Sequence, residues 1–298
     1  MVTLTVFTPT YNRAYCLHKG YEALCRQTCK DFQWIIIDDG STDNTRELVD
    51  TWLQKDNGFE IRYVYKENGG MYTGYNNAIE LAETELSVCI DSDDYMPDDA
   101  VEKVIKYWSA HRNEGYAGII GLDCFESGEI LGDKFPEQKS INLIDLYVGR
   151  YKNFNNRDRK IFVRTDLYKS VAPMKVFPGE KDFNPHLMHL QISEKFDFLV
   201  MNEKLCVVEY QPDGMTNTVF KQYLRSPRSF RETRIYEMSI KKAPVKFILK
   251  KTIHYVSSCI ISGEPCISAS PRKLLTLLMY PFGWLLTVYL KYYERKNR

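Results

Sequence analysis

Three carboxylates stand within four residues at the end of a short apolar run. The run covers residues 86–90, and Asp91, Asp93 and Asp94 follow it. Like charges at this spacing repel one another unless a cation lies among them, and a hard divalent cation suits such oxygen ligands. An ion that keeps open coordination positions can also hold a diphosphate. The alternative is an acidic turn that caps the helix predicted to begin near Asp98.

The acidic cluster belongs to the last of four strand–loop–helix units. Apolar runs of strand length cover residues 3–8, 32–37, 61–65 and 86–90, and helical periodicity follows each of them. Such repetition predicts an α/β fold with a mostly parallel, doubly wound sheet and helices on both faces. The loops after parallel strands lie side by side at one edge of the sheet, where ligands bind.

These loops carry the side chains that a nucleotide requires. An aromatic ring can stack on a base, a carboxylate can accept hydrogen bonds from base or ribose, and cations together with a metal can hold phosphates. Glycines in the third loop allow close approach of the backbone to a ligand. The four loop segments are Tyr11–Arg13, Asp38–Asp39, Lys66–Gly70 and Asp91–Asp94.

The same segments resemble the motif set of family 2 glycosyltransferases with the GT-A fold. The motifs are Thr8–Arg13, Ile36–Asp43, Asn68–Gly70 with Asn76, and Asp91–Asp94, all within residues 1–110. The resemblance is specific because four motifs recur in the same order and spacing. It implies an inverting transferase that uses a nucleotide-diphosphate sugar, with a UDP-sugar as the expected donor, and Mn²⁺ or Mg²⁺.

The resemblance also implies roles for single residues. Tyr11 and Asp39 would contact the base, and Asp91 would face the ribose and the sugar. Asp93 would be the metal ligand, with the choice between Asp93 and Asp94 left open. The complete set of donor-binding residues would be Pro9, Tyr11, Arg13, Asp39, Lys66, Asn68, Asn76 and Asp91.

Two acids precede a helix predicted over residues 186–195. In the family that this chain resembles, an acidic pair here supplies the general base, which must lie within hydrogen-bond reach of the acceptor hydroxyl. Lys181 separates Glu180 from Asp182, so the base stays open between them, with Asp182 favoured as the last acid before the helix. The alternative is that both acids only cap a helix. His186 is a further candidate metal ligand, although most such histidines only pack or form hydrogen bonds.

Two other stretches bear on the ligands. Residues 150–160 mix basic and aromatic side chains and are read as an acceptor-side surface loop. No nucleic-acid partner is expected, because Asp158 interrupts this stretch and the body of the chain is acidic. Residues 208–216 are similar in sequence to a segment of the bacterial surface-polysaccharide members of the family. Three residues here are expected to help close the donor site: Thr216, Asn217 and Gln222.

The last part of the chain differs from the rest in charge. From Lys241 onward there are eleven Lys or Arg and two Glu, a formal charge of +9, which leaves −8 for residues 1–240 of a chain with total charge +1. The uncharged run Leu274–Leu290 is at the short limit for a membrane span, and Pro281 and Gly283 interrupt it. Flanking cations and Tyr or Trp side chains favour a peripheral membrane anchor over residues 241–298. The alternative is a helix packed on the catalytic domain.

Composition is that of a globular protein, with 298 residues, 44% of them hydrophobic and 27% charged. The eight cysteines include no Cys-x-x-Cys pair, and the first residues do not form a signal peptide, so a reduced, cytoplasmic protein is expected. With the anchor, the predicted location is the inner face of the cell membrane.

The predicted organisation is a GT-A domain over residues 1–230, with a nucleotide-binding half (1–110) and an acceptor half (111–230), and a helical tail over 231–298. The predicted function is sugar transfer to a hydroxyl of a lipid-linked or polysaccharide acceptor in surface polysaccharide biosynthesis. One alternative is a sugar nucleotidyltransferase, but such enzymes usually carry a glycine-rich loop after the first strand, unlike Thr8–Arg13. The other is a non-catalytic, nucleotide-binding module docked to a membrane.

Overall fold

A computed structural model of the chain describes residues 2–209, 211 and 218–296, which form two compact units. The α/β unit comprises Met1–Pro173 and Met188–Gln211, and the helical unit comprises Met174–Leu187 and Pro212–Arg298. The boundary between the units therefore lies near residue 212, with residues 174–187 joining the helical unit. The domain boundary predicted after residue 230 stays a prediction.

Within the described residues, one mixed sheet of eight strands forms the α/β unit. The strands are β1 (Leu4–Thr10), β2 (Phe32–Asp38), β3 (Glu60–Tyr65), β4 (Leu86–Cys89), β5 (Gly118–Cys124), β6 (Ser140–Ile141), β7 (Arg159–Arg164) and β8 (Phe198–Val207). Their order in the sheet is β3-β2-β1-β4-β7-β5-β8-β6.

The first four strands form a parallel half-sheet, as the repeated strand–helix pattern predicts. In the register, Thr10 at the end of β1 pairs with Asp38 of β2, which pairs with Tyr65 of β3, so these strands end together at one edge. Their strongly apolar sequences suit strands that are covered on both faces. The helices up to residue 192 are α1 (Ala14–Arg26), α2 (Thr45–Leu53), α3 (Met71–Leu81), α4 (Ala100–His111), α5 (Leu143–Tyr147), α6 (Thr165–Val171) and α7 (His186–Ile192).

The other half of the sheet differs from the prediction in two places. Residues 159–164 form β7, which lies antiparallel between β4 and β5, so the predicted surface loop ends before Arg159. The two predicted short runs within residues 198–210 are joined as the single strand β8. Residues 202–204 of β8 are exposed, and its pairing with β5 changes register there, which explains the polar interruption of the pattern.

The core of the α/β unit is built from one apolar face of each helix and the sheet. In α4, for example, Val101, Val104 and Trp108 are buried on the same side, three or four residues apart. Aromatic packing adds to this core: the rings of Tyr21 and Trp52 are stacked with centroids 4.3 Å apart. The core fixes the strands and therefore the loops that follow them.

Among the described residues, four helices follow in the helical unit. They are α8 (Val219–Arg225), α9 (Pro227–Ser239), α10 (Val245–Ser262) and α11 (Lys273–Lys296). Helix α10 packs against α9, where Met238, Tyr255, Val256 and Cys259 form a small apolar cluster. Helix α11 packs along α10 and continues through Pro281.

Candidate active site

The loops after β1 and β2 are held together by Asn12. Its backbone N–H donates to Ser41 Oγ at 2.9 Å, and its Oδ1 accepts from the backbone N–H of Thr42 at 2.8 Å. Asn12 has a φ of +53°, a left-handed conformation that Asn adopts more readily than most residues. The adjacent Tyr11 side chain is 47% exposed and available to a ligand.

Asp39 organises the loop after β3. Its buried carboxylate accepts from the backbone N–H of Gly69 at 2.9 Å and of Gly70 at 2.7 Å, and it forms an ion pair with Lys66. Asn68 donates to the backbone carbonyl of Asp39 at 2.7 Å. The structure therefore brings Asp39, Lys66 and Asn68 together. A contact of Asp39 with a base stays a prediction.

Asp38 has a structural role that differs from that of Asp39. The sequence alone does not distinguish these two adjacent acids. The Oδ1 of Asp38 accepts from the backbone N–H of Ser41 at 2.7 Å, and its Oδ2 accepts from the hydroxyl of Tyr63 at 2.5 Å. Burial, together with this bond, raises the pKa of Tyr63. Of the two consecutive acids, Asp38 thus fixes the turn after β2.

Pro9 and Asn76 belong to β1 and α3. A Cβ placed on Gly74 of α3 would lie 3.1 Å from Pro9 Cβ, so Pro9 packs closely against this helix. Asn76 is partly buried two residues further along α3. The predicted contacts of both residues with the nucleotide stay predictions.

The three acids after β4 differ in exposure. Asp91 is exposed, Asp93 is partly buried and Asp94 is 8% exposed. The backbone N–H of Asp94 donates to the carbonyl of Asp91 at 3.0 Å and closes a tight turn. This turn keeps the two more accessible carboxylates, Asp91 and Asp93, close together in sequence and in space.

The loop after β1 also reaches this acidic turn. The thiol of Cys16, in the first turn of α1, donates to the carbonyl of Ser92 at 3.5 Å. Burial raises the pKa of Cys16 to about 11; the negative charge of Asp93 adds to this increase, and the positive charge of Arg13 opposes it. Arg13 and Asp93 are therefore both close to Cys16.

Asp94 points into the protein. Its Oδ2 lies 3.7 Å from Lys160 Nζ, and its Oδ1 accepts from the backbone N–H of Glu209 at 3.2 Å. Burial raises the pKa of Asp94 to about 8, although Lys160 opposes the shift. Asp94 is thus buried and faces Lys160, whereas Asp93 is more accessible. Between the two predicted ligands, the surroundings favour Asp93.

Lys160 is the buried residue that sequence reasoning missed here. It lies on β7 among Asp94, Asp123 and Asp91, whose negative charges favour its protonated form. The apolar run Ile161–Val163 directly after it is the signal that identifies a strand. A lysine inside such a strand requires acidic partners, and these acids supply them.

The carboxylates of the acidic turn suit a divalent cation bound jointly with a diphosphate. Among the described residues, no three or more His, Cys, Asp or Glu side chains are placed to hold a metal by themselves. Mg²⁺ is commonly bound by one or two carboxylates together with substrate phosphates, so a set of two acids is sufficient. Asp91 and Asp93 are thus a chemically suitable donor set.

Asp182 belongs to the helical unit and is paired there. Arg225 donates to both of its carboxylate oxygens, from Nη2 to Oδ1 at 2.6 Å and from Nε to Oδ2. Ser226 Oγ also donates to Oδ2, at 2.8 Å. Oδ1 thus receives one of these three hydrogen bonds and Oδ2 two.

Glu180 caps helix α9. Its Oε1 accepts from the backbone N–H of Arg228 at 2.9 Å, and its Oε2 accepts from the backbone N–H and the hydroxyl of Ser229, each at 2.7 Å. Arg228 Nε adds a further bond to Oε1 at 3.0 Å. For Glu180, the helix-capping alternative describes the observed contacts well.

The remaining predicted positions lie outside the acidic turn. His186 is in the helical unit; burial lowers its pKa to about 4, and Glu237 and Lys251 are its charged neighbours. Its role as a metal ligand stays a prediction. Gln222 donates to Thr218 Oγ1 at 3.1 Å. Two predicted residues, Thr216 and Asn217, lie outside the described residues.

The sequence was compared with protein families and with known proteins. Residues 5–171, more than half of the chain, match the family described as Glycosyl transferase family 2. A GalNAc(5)-diNAcBac-PP-undecaprenol beta-1,3-glucosyltransferase of Campylobacter jejuni is 32% identical over 158 residues, which are 51% of this chain and 49% of that protein. Chondroitin synthase of Pasteurella multocida is 34% identical over 103 residues, 35% of this chain and 10% of that protein. The match with this chain thus covers about half of the length of the first relative and a tenth of the length of the second.

Solved structures extend the similarity beyond the matched segment. Staphylococcus aureus TarS 1-349 in complex with UDP-GlcNAc has a TM-score of 0.61 at 14% identity, covering 100% of this chain and 93% of that one. The mannosyltransferase PcManGT of Pyrobaculum calidifontis, in complex with GDP-Man and Mn²⁺, has a TM-score of 0.55 at 17% identity, covering 97% and 84%. The predicted GT-A fold is confirmed, and the match over residues 5–171 shows that the chain belongs to glycosyl transferase family 2.

Proposed function

We propose that this protein is an inverting glycosyltransferase that moves a sugar from a nucleotide-diphosphate sugar to a hydroxyl of a lipid-linked or polysaccharide acceptor. The observation that carries the proposal is the set of strand-end loops joined at one edge, with Asp91 and Asp93 in the acidic turn. A UDP-sugar is the first candidate donor, because TarS binds UDP-GlcNAc with a similar fold. The undecaprenol-linked substrate in the name of the Campylobacter relative supports a lipid-linked acceptor and work at the inner face of the membrane.

The donor would be held by groups from all four loops. The exposed ring of Tyr11 has a face on which a base can stack, and Arg13 carries a cation near the acidic turn. The loop that Asp39 fixes contributes Lys66 and the backbone of Gly69. Because Asn12 joins the first two loops and Asp39 fixes the third before any ligand arrives, little ordering of these loops is required when the donor binds.

Mn²⁺ or Mg²⁺ would be held by Asp93 and Asp91 together with the diphosphate. When bound, such an ion stabilises the negative charge of the departing nucleoside diphosphate. PcManGT with GDP-Man and Mn²⁺ supports this choice of ion. The role of the two carboxylates is to fix the cation at the end of β4.

Asp182 is our candidate for the general base. Its Oδ1 receives one described hydrogen bond, from an arginine whose side chain is 56% exposed, so a lone pair remains for a hydroxyl proton. Both oxygens of Glu180 receive two donors each and are occupied by helix α9. A carboxylate must accept the proton of the acceptor hydroxyl directly, and Asp182 has the capacity to do so.

The decisive experiment is Asp93→Ala, measured as release of UDP from a UDP-sugar panel with Mn²⁺ present. Loss of a metal ligand should lower turnover at least about a hundredfold, since the cation supplies several kcal/mol of charge stabilisation. Asp98→Ala is the matched control, because Asp98 is an exposed acid nearby that pairs with Arg26. If Asp93→Ala turned over as fast as the unmodified protein, Asp93 would not be a metal ligand. Thermal-shift screening of the same panel would identify the donor through its stabilisation of the folded state.

A further inference from the structure

Three of the four buried residues of helix α11 are small or polar. Its buried residues are Thr276, Gly283, Thr287 and Leu290. The hydroxyls of Thr287 and Ser257 of α10 are hydrogen-bonded at 2.9 Å. A Cβ added at Gly283 would lie 2.4 Å from Val256 Cβ, so the two helices approach too closely there for any larger residue.

The opposite side of α11 is apolar and exposed. Leu274 is 80% exposed and Leu278 is 66% exposed. At 100° per residue, these side chains lie across the helix from the buried positions. A helix in water normally has the reverse arrangement. The outward face of α11 is defined here by six exposed residues: Leu274, Leu277, Leu278, Phe282, Leu285 and Val288.

Charged and aromatic residues frame this outward face. Between residues 274 and 290 the helix has no charged residue, whereas Lys273 stands at its first position and Lys291 and Arg295 near its end, all exposed. Trp284 and Tyr292 are also exposed, at 52% and 62%. Apolar side chains edged by cations and by Trp or Tyr match the layers of a bilayer surface with anionic lipids.

We propose that the outward face of α11 binds the surface of an anionic lipid bilayer, with the helix lying in the plane of the interface. The proposal rests on the proposed function only for the choice of the inner leaflet, where a lipid-linked acceptor would be found. The lipid contact itself follows from the exposed apolar face and its cationic ends.

A position across the bilayer fits the surroundings of α11 less well. Among the described residues, α11 is the helix that is long and apolar enough to cross a membrane, and 22% of its most apolar window is buried. That burial is against α10, which runs beside it and carries exposed Lys246 and Lys250. A crossing helix would draw these charges and the buried Glu237–Lys251 pair into hydrocarbon, which is unfavourable for charged groups.

A second copy of the chain is a less suitable partner for the same face. Two such faces brought together would place the cationic ends of both helices in one interface, and like charges oppose that contact. An anionic bilayer instead offers opposite charge to both ends and hydrocarbon to the middle.

Trp284 provides a direct probe of this contact. The other three tryptophans, Trp34, Trp52 and Trp108, are at most 3% exposed, so a change of emission on adding vesicles reports chiefly on Trp284. Vesicles of phosphatidylglycerol and phosphatidylcholine should shift the emission to shorter wavelength and carry the full-length protein down on centrifugation. Vesicles of phosphatidylcholine alone should bind at least tenfold more weakly. Equal binding to both would overturn the anionic part of the proposal.

The double variant Leu278→Glu with Leu285→Glu tests the face itself. It should lower partition into anionic vesicles at least tenfold, while Leu53→Glu, the same change at an exposed leucine of α2, should leave it unchanged. Unmodified protein that stays in the supernatant, or a double variant that binds like it, would overturn the proposal. So would a lipid-independent dimer that the double variant dissociates. UDP release without vesicles should be unchanged in the double variant, which separates failure of lipid binding from failure of sugar transfer.

Discussion

Helices α4 and α11 distribute their apolar residues in opposite ways. In α4 of the α/β unit, Val101, Val104 and Trp108 are buried and the charged residues face solvent. In α11 of the helical unit, the buried side carries Thr276 and Gly283, and four of the seven leucines face outward. Burial of apolar surface stabilises α4. Close approach of small residues and a hydroxyl pair hold α11 instead, as is common for helices that contact lipid.

Two groups of acids differ in a similar way, those of the helical unit and the two more accessible acids in the turn after β4. Glu180, Asp182 and Glu237 of the helical unit are buried, and each is bonded to Arg or Lys. In the α/β unit, Asp91 is exposed and Asp93 partly so at the edge of the sheet. Buried acids require partners from the fold, whereas more accessible acids grouped in one turn can also hold a cation from outside.

The largest expected effect comes from removing the general base, which we assign to one acid of the helical unit. Asp182→Asn should lower kcat by about 10²–10⁴ because a general base is removed. Glu180→Gln should leave kcat within about tenfold and cost about 1–3 kcal/mol of stability, because a buried capping acceptor is weakened. Steady-state kinetics and thermal unfolding of both variants distinguish the roles. If Glu180→Gln lost activity and Asp182→Asn stayed active, Glu180 would be the general base and Asp182 the structural acid.

The next effect tests the contrast between α4 and α11 directly. Val104→Glu should destabilise the protein by about 3–5 kcal/mol, because it buries a charge without a partner. Leu278→Glu should change stability by no more than about 0.5 kcal/mol in lipid-free buffer, since this site is exposed. Urea unfolding followed by circular dichroism measures both changes. A large loss in Leu278→Glu would show that the outward face of α11 packs against protein.

The smallest effect is a pH dependence of the helical unit. Burial, and then the charges of Arg234 and Lys251, lower the pKa of His254 to about 4 from 6.5. The folded state keeps this ring neutral, while the unfolded chain takes up a proton below about pH 6.5. Stability contributed by the neutral ring is therefore complete above pH 6.5 and is lost as the pH falls towards 4.

His254→Gln measures this contribution. The loss of unfolding free energy between pH 7.5 and pH 5 should be smaller in the variant than in the unmodified protein by about 1–2 kcal/mol. Urea unfolding at the two pH values gives both differences. An identical pH dependence in the two proteins would mean that His254 is not kept neutral by the fold.

Local sequence determined much of this protein. The apolar runs with their polar ends predicted the first four strands and the edge of the sheet at which these strands end, because burial and strand length act on contiguous residues. The same pattern did not predict β7, because a lysine at position 160 suggests an exposed loop unless the acids that surround it are known. Those acids come from two segments, the turn after β4 and strand β5, and the turn lies more than sixty residues before Lys160 in the sequence.

Only the tertiary structure decided the partners of the acids and the direction of the apolar side chains. The sequence gives Asp93 and Asp94 the same chemistry, but folding turns Asp94 towards Lys160 and leaves Asp93 more accessible. The run Leu274–Leu290 is apolar whichever way it faces, and the fit of Gly283 against Val256 leaves four of its seven leucines facing outward. Both outcomes depend on contacts between residues far apart in the chain, which composition and periodicity do not contain.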